Sequence, residues 1–327
     1  CVFDMFYLLM QSGEIGGALA GTIPEQLTLS CINHACQCLH ATIESLAPDL
    51  DVIQDVLDIL LAQAELLLHL IKSIGENLSL HSCILVLKAS GLGLKVLSSL
   101  RPLDTSLGEA MKLLLMLVLF SVNLSWLKTH LAAGSATDSV VDAAEASTLI
   151  LGLLPVICHC TQSADHYKLS LTTIDVVLRG FSTSATWIPI VEKHLQLHSV
   201  VQKLEDETSV GTIPVILQFL LTLSRVREGA MMLVNAGFFV SLRGLLAKLS
   251  DDQHSSVICG ERSLSNAFDR SEKAKHIWGL SLAVVTAIVH FLGDASSSTG
   301  IVDYVMAHLL VEKAFLISYY LSVPDFP

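Results

Sequence analysis

VREGAMMLVNAGFFVSLRGLLAKL, residues 226–249, is the stretch that decides the fold class of this chain. Its apolar side chains recur at helical spacing on both sides of Gly237, first over Arg227–Asn235 and then over Phe238–Leu249. Gly237 can adopt the left-handed backbone conformation that a tight corner between two helices needs. An apolar segment, Thr212–Ser224, comes before this stretch. The sequence therefore predicts three consecutive helices joined by short turns.

The order of a short helix, a glycine corner and an apolar helix in residues 226–249 resembles an armadillo or HEAT repeat. In that family such units recur about every 40–47 residues. No other segment of the chain repeats this stretch cleanly, so the remaining repeats would be degenerate. The resemblance implies an all-α fold, namely a right-handed superhelical α-solenoid of armadillo/HEAT-like helical repeats.

Residues that typically start or end helices are also frequent in the rest of the chain. No segment alternates apolar and polar residues before a hairpin turn, so no strand is predicted. Pro155 is expected to bend one helix, and the polar stretch Ser250–Ser271 is predicted as a long loop inside the solenoid. We expect one solenoid over residues 1–327. Since the chain starts at Cys1 without Met, it is expected to be the C-terminal part of a longer protein. The further helices are predicted at about 22–46, 51–74, 80–100, 106–129, 138–160, 165–179, 186–195, 199–207, 272–292 and 299–322.

The composition fits either a membrane protein or a stack of helices that are buried on two sides. Hydrophobic residues make up 52% of the chain and charged residues only 15%, against about 25% in ordinary globular domains. A spanning helix needs about 20 consecutive apolar residues. The longest apolar runs, Leu113–Leu127 and Leu280–Leu292, are shorter than this. The sequence therefore predicts stacked helices and no transmembrane segment.

The charge and the cysteines bear on the class of partner and on the compartment. A net charge of −12, with basic residues scattered among acidic ones, argues against direct nucleic-acid binding. An acidic surface favours partners that carry basic segments. The eight cysteines lie mostly in apolar helical runs, which indicates reduced, buried thiols in the cytosol or nucleus.

One segment raises the alternative of a helical metalloprotein. Cys31, His34, Cys36, Cys38 and His40 place five possible metal ligands within ten residues. Zinc sites need four ligands in a tetrahedral arrangement, and one straight helix cannot surround an ion with four side chains. The segment also lacks the paired C-x-x-C spacing of structural zinc sites. Buried cysteines with surface histidines are the favoured interpretation, and no metal is predicted.

The motifs of catalysis and of cofactor binding are absent from the sequence. The chain contains no G-x-S-x-G, P-loop, G-x-G-x-x-G or H-E-x-x-H pattern. Gly91-Leu92-Gly93 falls in a predicted helix and indicates a packing or bending point. The sequence therefore predicts neither an enzyme nor a bound cofactor.

Aromatic residues supply the candidate partner-binding positions, because aromatic and Arg side chains dominate interface hot spots. Phe238 and Phe239 follow the predicted corner, Arg243 lies one turn further on, and Trp278 lies on the helix after the polar stretch. Most aromatics are expected in the core. These four are nevertheless the predicted partner-binding residues.

Two C-terminal segments, KAKHIWGLSLAVVTAIVHFLG at residues 273–293 and EKAFLISYYLSVPDFP at residues 312–327, carry a second resemblance. With Trp278 on a helix after a polar stretch, they are similar to the C-terminal region of the large inner-ring scaffold nucleoporins of the nuclear pore complex. That resemblance implies a structural scaffold at the nuclear envelope. The scaffold would dock linker nucleoporins or neighbouring subunits and support nucleocytoplasmic transport, including that of protein and mRNA. The alternative is a cytoplasmic armadillo/HEAT adaptor in vesicle tethering, ubiquitin ligation or cytoskeletal assembly.

Overall fold

The computed structural model describes residues 25–46, 50–100, 105–131, 137–181, 183–206, 211–258, 264–292 and 299–311, with 314 and 318. Over these residues the fold is all-α, as predicted, and no strand occurs. Two compact units divide the chain, Cys1–Phe181 and Ser182–Pro327. The predicted start of the first helix, at about residue 22, lies outside the described residues.

The first unit contains six described helices that pack in consecutive pairs: α1 with α2, α3 with α4, and α5 with α6. The connections are short, and Gly75, with φ of 57°, makes the left-handed turn that ends α2. Short connections between packed helices make each pair antiparallel. The helices are α1 Glu25–Glu44, α2 Leu50–Ile74, α3 Leu80–Ser99, α4 Thr105–Leu131, α5 Thr137–Cys160 and α6 Ala164–Gly180.

Helices two apart in the chain also pack together in this unit. Helices α2 and α4 meet near their starts, where Gln54 Nε2 donates a hydrogen bond to Ser106 Oγ over 3.0 Å. They meet again further along, where Lys72 Nζ of the last turn of α2 lies 5.4 Å from the ring centroid of Phe120. Because the starts meet and the later halves meet, α2 and α4 run parallel.

The same parallel arrangement joins α4 to α6. Near the two helix starts, His166 Nε2 lies 2.9 Å from the carbonyl oxygen of Gly108, a hydrogen-bonding distance. Near the two helix ends, Gly180 of α6 sits against the indole of Trp126 of α4. Helices α2, α4 and α6 therefore form one layer of parallel neighbours.

Helices α1, α3 and α5 pack as a second layer. Gly93 of α3 lies against Ile43 of α1, and Gly91 lies against Leu153 of α5. On the surface, Lys88 Nζ of α3 pairs with Glu145 Oε1 of α5 at 2.7 Å. Gly91 and Gly93 are therefore packing points, as the sequence indicated, because each lets a neighbouring leucine or isoleucine side chain approach the helix backbone.

The second unit has short helices around the corner at Gly237 and a long helix that packs on them. Helix α12 contacts α9, α10 and α11, and α10 also contacts α7 and α8. The elements are a 3-10 turn Ser184–Thr186, α7 Ile188–His194, α8 Leu197–Gln202, α9 Ile213–Ser224, α10 Arg227–Asn235, α11 Phe238–Ile258, α12 Leu264–Leu292, α13 Thr299–Tyr304 and a π-helix Val305–Val311.

The predicted loop over Ser250–Ser271 is wrong in its extent. Helix α11 continues to Ile258 and α12 begins at Leu264, so only residues 259–263 of that stretch lie outside the described part of the chain. The stretch contains no proline and one glycine, Gly260. In a helix interior, Ser, Asp and His each destabilise the helix by only about 0.5 kcal/mol relative to Ala. A polar composition alone therefore does not end a helix.

Pro155 lies inside the continuous helix α5, Thr137–Cys160.

The sequence predicted one helix up to about residue 322 at the C-terminal end. Instead, α13 gives way after Tyr304 to the π-helix, and residues 312, 313 and 315–317 are among those outside the described part.

Among the described residues, four helical segments are long and apolar enough to cross a membrane by length and composition, or five if the bent pair α10 and α11 is counted as one span. The search for unbroken apolar runs in the sequence missed them. The four segments are Leu80–Ser99, Thr105–Lys128, Val141–Cys160 and Glu272–Leu292. Between 33% and 61% of each apolar window is buried against the rest of the protein. The search for unbroken runs and the mean hydropathy give different results because scattered Ser, Thr and Gly interrupt an apolar run but lower the mean hydropathy of the helix only slightly. The absence of a transmembrane segment therefore stays a prediction.

Candidate interaction surface

The corner between α10 and α11 has the geometry that the sequence predicted. Gly237 has φ of 82°, in the left-handed region, and the two helix axes differ by 68°. The Gly237 N–H donates to the carbonyl oxygen of Val234 over 3.1 Å, and the Val240 N–H donates to the carbonyl oxygen of Gly237 over 3.1 Å. These two bonds end one helix and start the next without a loop.

Three of the four predicted partner-binding residues are core residues. Phe238, Phe239 and Trp278 retain 0%, 8% and 3% of their exposure. Phe239 packs against Phe238 at 5.6 Å between ring centroids and against Tyr304 at 5.7 Å. These side chains are covered by the protein itself and expose little surface, so their role in partner binding stays a prediction. Arg243 is exposed and stays a candidate.

Sequence reasoning missed two exposed apolar residues at the same corner. Met231 on α10 is 46% exposed and Val240 on α11 is 67% exposed. Their signal was available in the helical phase, because each lies off the buried face that Leu233 and Leu242 mark. The prediction of partner-binding residues favoured large aromatic side chains, but the size of a side chain does not indicate whether it is exposed.

Charged residues of both signs are exposed around the corner, and the Glu205 side chain lies against Gly244 of α11. Arg227 and Glu228 are exposed on α10, and Arg243 and Lys248 are exposed on α11. Between Arg225 and Leu249 the sequence has four basic residues and one acidic residue, in a chain whose net charge is −12.

Hydrogen-bond contacts join the two helices of the corner to neighbouring segments of the second unit. His198 Nδ1 of α8 lies 3.1 Å from the carbonyl oxygen of Ala236, and Lys248 Nζ donates to the carbonyl oxygen of Glu205 over 2.6 Å. The backbone of Gly229 approaches the carbonyl oxygen of Leu223 so closely that a side chain would collide with it. The exposed residues are therefore displayed on anchored helices.

The possible metal ligands on α1 do not converge. Cys36 is buried, His34 is exposed, and Cys38 Sγ lies 3.7 Å from His34 Nε2. His40 Nε2 instead lies 3.3 Å from Glu44 Oε1. No three His, Cys, Asp or Glu side chains in the described part of the chain are grouped so as to hold a metal ion. The reason is geometric, since one helix directs these side chains to different sides.

The buried cysteine thiols have low reactivity. Burial raises the pKa of Cys36 and of Cys158 to about 12, and that of Cys83 and of Cys160 to about 11. Neutral, desolvated thiols are poor nucleophiles and poor metal ligands. Cys158 and Cys160 on α5 therefore act as small apolar core residues.

No protein-family model, no curated protein and no solved structure matches this chain at a significant level. The class that the described residues define is an all-α protein.

Proposed function

We propose that this chain is a structural scaffold and protein-interaction module built as a right-handed superhelical α-solenoid of armadillo/HEAT-like repeats. In this proposal it is the C-terminal region of a large inner-ring scaffold nucleoporin of the nuclear pore complex. It docks linker nucleoporins or neighbouring subunits and so supports nucleocytoplasmic transport. The proposed chain has no transmembrane segment and no direct contact with nucleic acid.

The observation that carries the solenoid part of the proposal is the order of packing in the first unit. Antiparallel helix pairs lie side by side, and helices two apart run parallel in two layers. This is the arrangement expected of stacked helical repeats, in which each repeat contacts only its neighbours along the chain. Repetition of one hairpin produces long, regular faces suited to docking other proteins rather than a single deep active site.

The nuclear-pore part of the proposal is supported by the resemblance that two C-terminal sequence segments carry, residues 273–293 and 312–327. Within the first segment, Trp278 is a core residue of α12, where it is 3% exposed. A buried tryptophan on a long helix is consistent with a role in packing, so the resemblance concerns the scaffold and not a binding residue.

Proximity labelling tests this proposal in cells. A biotin ligase is fused to the full-length protein that contains this chain, and the same ligase carrying only a nuclear localisation signal is the control. We expect nuclear-envelope and pore proteins to be enriched over the control. Enrichment of vesicle-tethering, ubiquitin-ligase or cytoskeletal proteins without pore proteins would contradict the nucleoporin proposal and support the adaptor alternative.

A further inference from the structure

We draw no further inference here: the strongest candidate, the surface patch on the exposed face of α3 where His81, Lys88 and Lys95 recur at helical spacing, carries nothing, because Lys88 already pairs with Glu145 of α5 and nothing in the described part of the structure shows what covers the rest of the patch.

Discussion

Gly229 shows how closely single residues control the packing of the second unit. A methyl group on Gly229 would overlap the backbone carbonyl oxygen of Leu223, which cannot move as a side-chain tip can. Gly229→Ala is therefore expected to lower the free energy of unfolding by about 2–3 kcal/mol. The matched control is Gly279→Ala in α12, where nothing lies within 4 Å of the added atom. There alanine should be neutral or stabilising by up to about 1 kcal/mol, as urea denaturation would measure. Equal effects at the two sites would refute this account of the corner.

The cysteines give a second prediction at the scale of the residue. Burial raises the pKa of the Cys36, Cys83, Cys158 and Cys160 thiols to between about 11 and about 12. At pH 8 these thiols stay protonated and shielded, so iodoacetamide should alkylate them only after unfolding. Cys31 and Cys38 are partly exposed and should react first in the native protein, as peptide mass spectrometry would report. Early alkylation of Cys36 would mean that α1 does not pack as described.

Residue type alone predicts which glycines form left-handed turns better than it predicts which side chains are exposed. Gly75 and Gly237 could be identified because only glycine takes a positive φ without strain. Phe239 could not be placed, because helical spacing gives the direction of a side chain and not the element that covers it. The covering contact comes from Tyr304, which is 65 residues further along the chain and has no local signal.

At the scale of the element, the contact between α3 and α5 can be tested by a double-mutant cycle. A methyl group on Gly91 would lie 2.6 Å from Leu153 Cδ2, so Gly91→Ala should destabilise the protein by about 1–2 kcal/mol. Leu153→Ala leaves a cavity and should cost about 2–4 kcal/mol. The double variant should lose at least about 1 kcal/mol less than the two single losses added together, because the smaller side chain at residue 153 makes room for the methyl group. Simple additivity in thermal or urea unfolding would show that the two helices do not meet there.

Most helices were predictable as elements because their apolar spacing, caps and glycine stops are local features. The predicted segment 51–74 corresponds to α2, Leu50–Ile74, and the predicted Arg227–Asn235 has the same bounds as α10. The stretch Ser250–Ser271 was mispredicted, because a polar composition was taken as a break although no proline interrupts it. Helix ends that lack a strong stop are decided by tertiary packing rather than by composition.

At the scale of the whole molecule, the relation to membranes is open to a direct experiment. At least four helical segments of the described part of the chain are apolar enough to span a bilayer, and our proposal places their apolar faces against other helices instead. The protein that contains this chain should therefore leave cell membranes in alkaline carbonate without detergent, as pelleting and immunoblotting would show. A known spanning protein followed in the same sample is the control. Retention of both proteins in the membrane pellet would contradict a scaffold without a transmembrane segment.

The layered packing could not be predicted in detail from the sequence. The contacts that define it, such as Gln54 with Ser106 and His166 with Gly108, join residues more than 50 positions apart. The helix pairs share no sequence consensus that would fix the register of one pair on the next. Amphipathic helices therefore predicted a stack, but not which helices stand side by side.

The central claim is that antiparallel helix pairs stack so that helices two apart run parallel, and cross-linking measures this most directly. Gln54→Cys with Ser106→Cys places a thiol near the start of both α2 and α4, where the side chains meet at 3.0 Å. Gln54→Cys with Asn123→Cys, in the later half of α4, is the matched control. A short bismaleimide should link residues 54 and 106 in high yield and leave 54 and 123 unlinked, as mass spectrometry of the linked peptides identifies. Preferential linkage of 54 to 123 would contradict the parallel stack and the scaffold built on it.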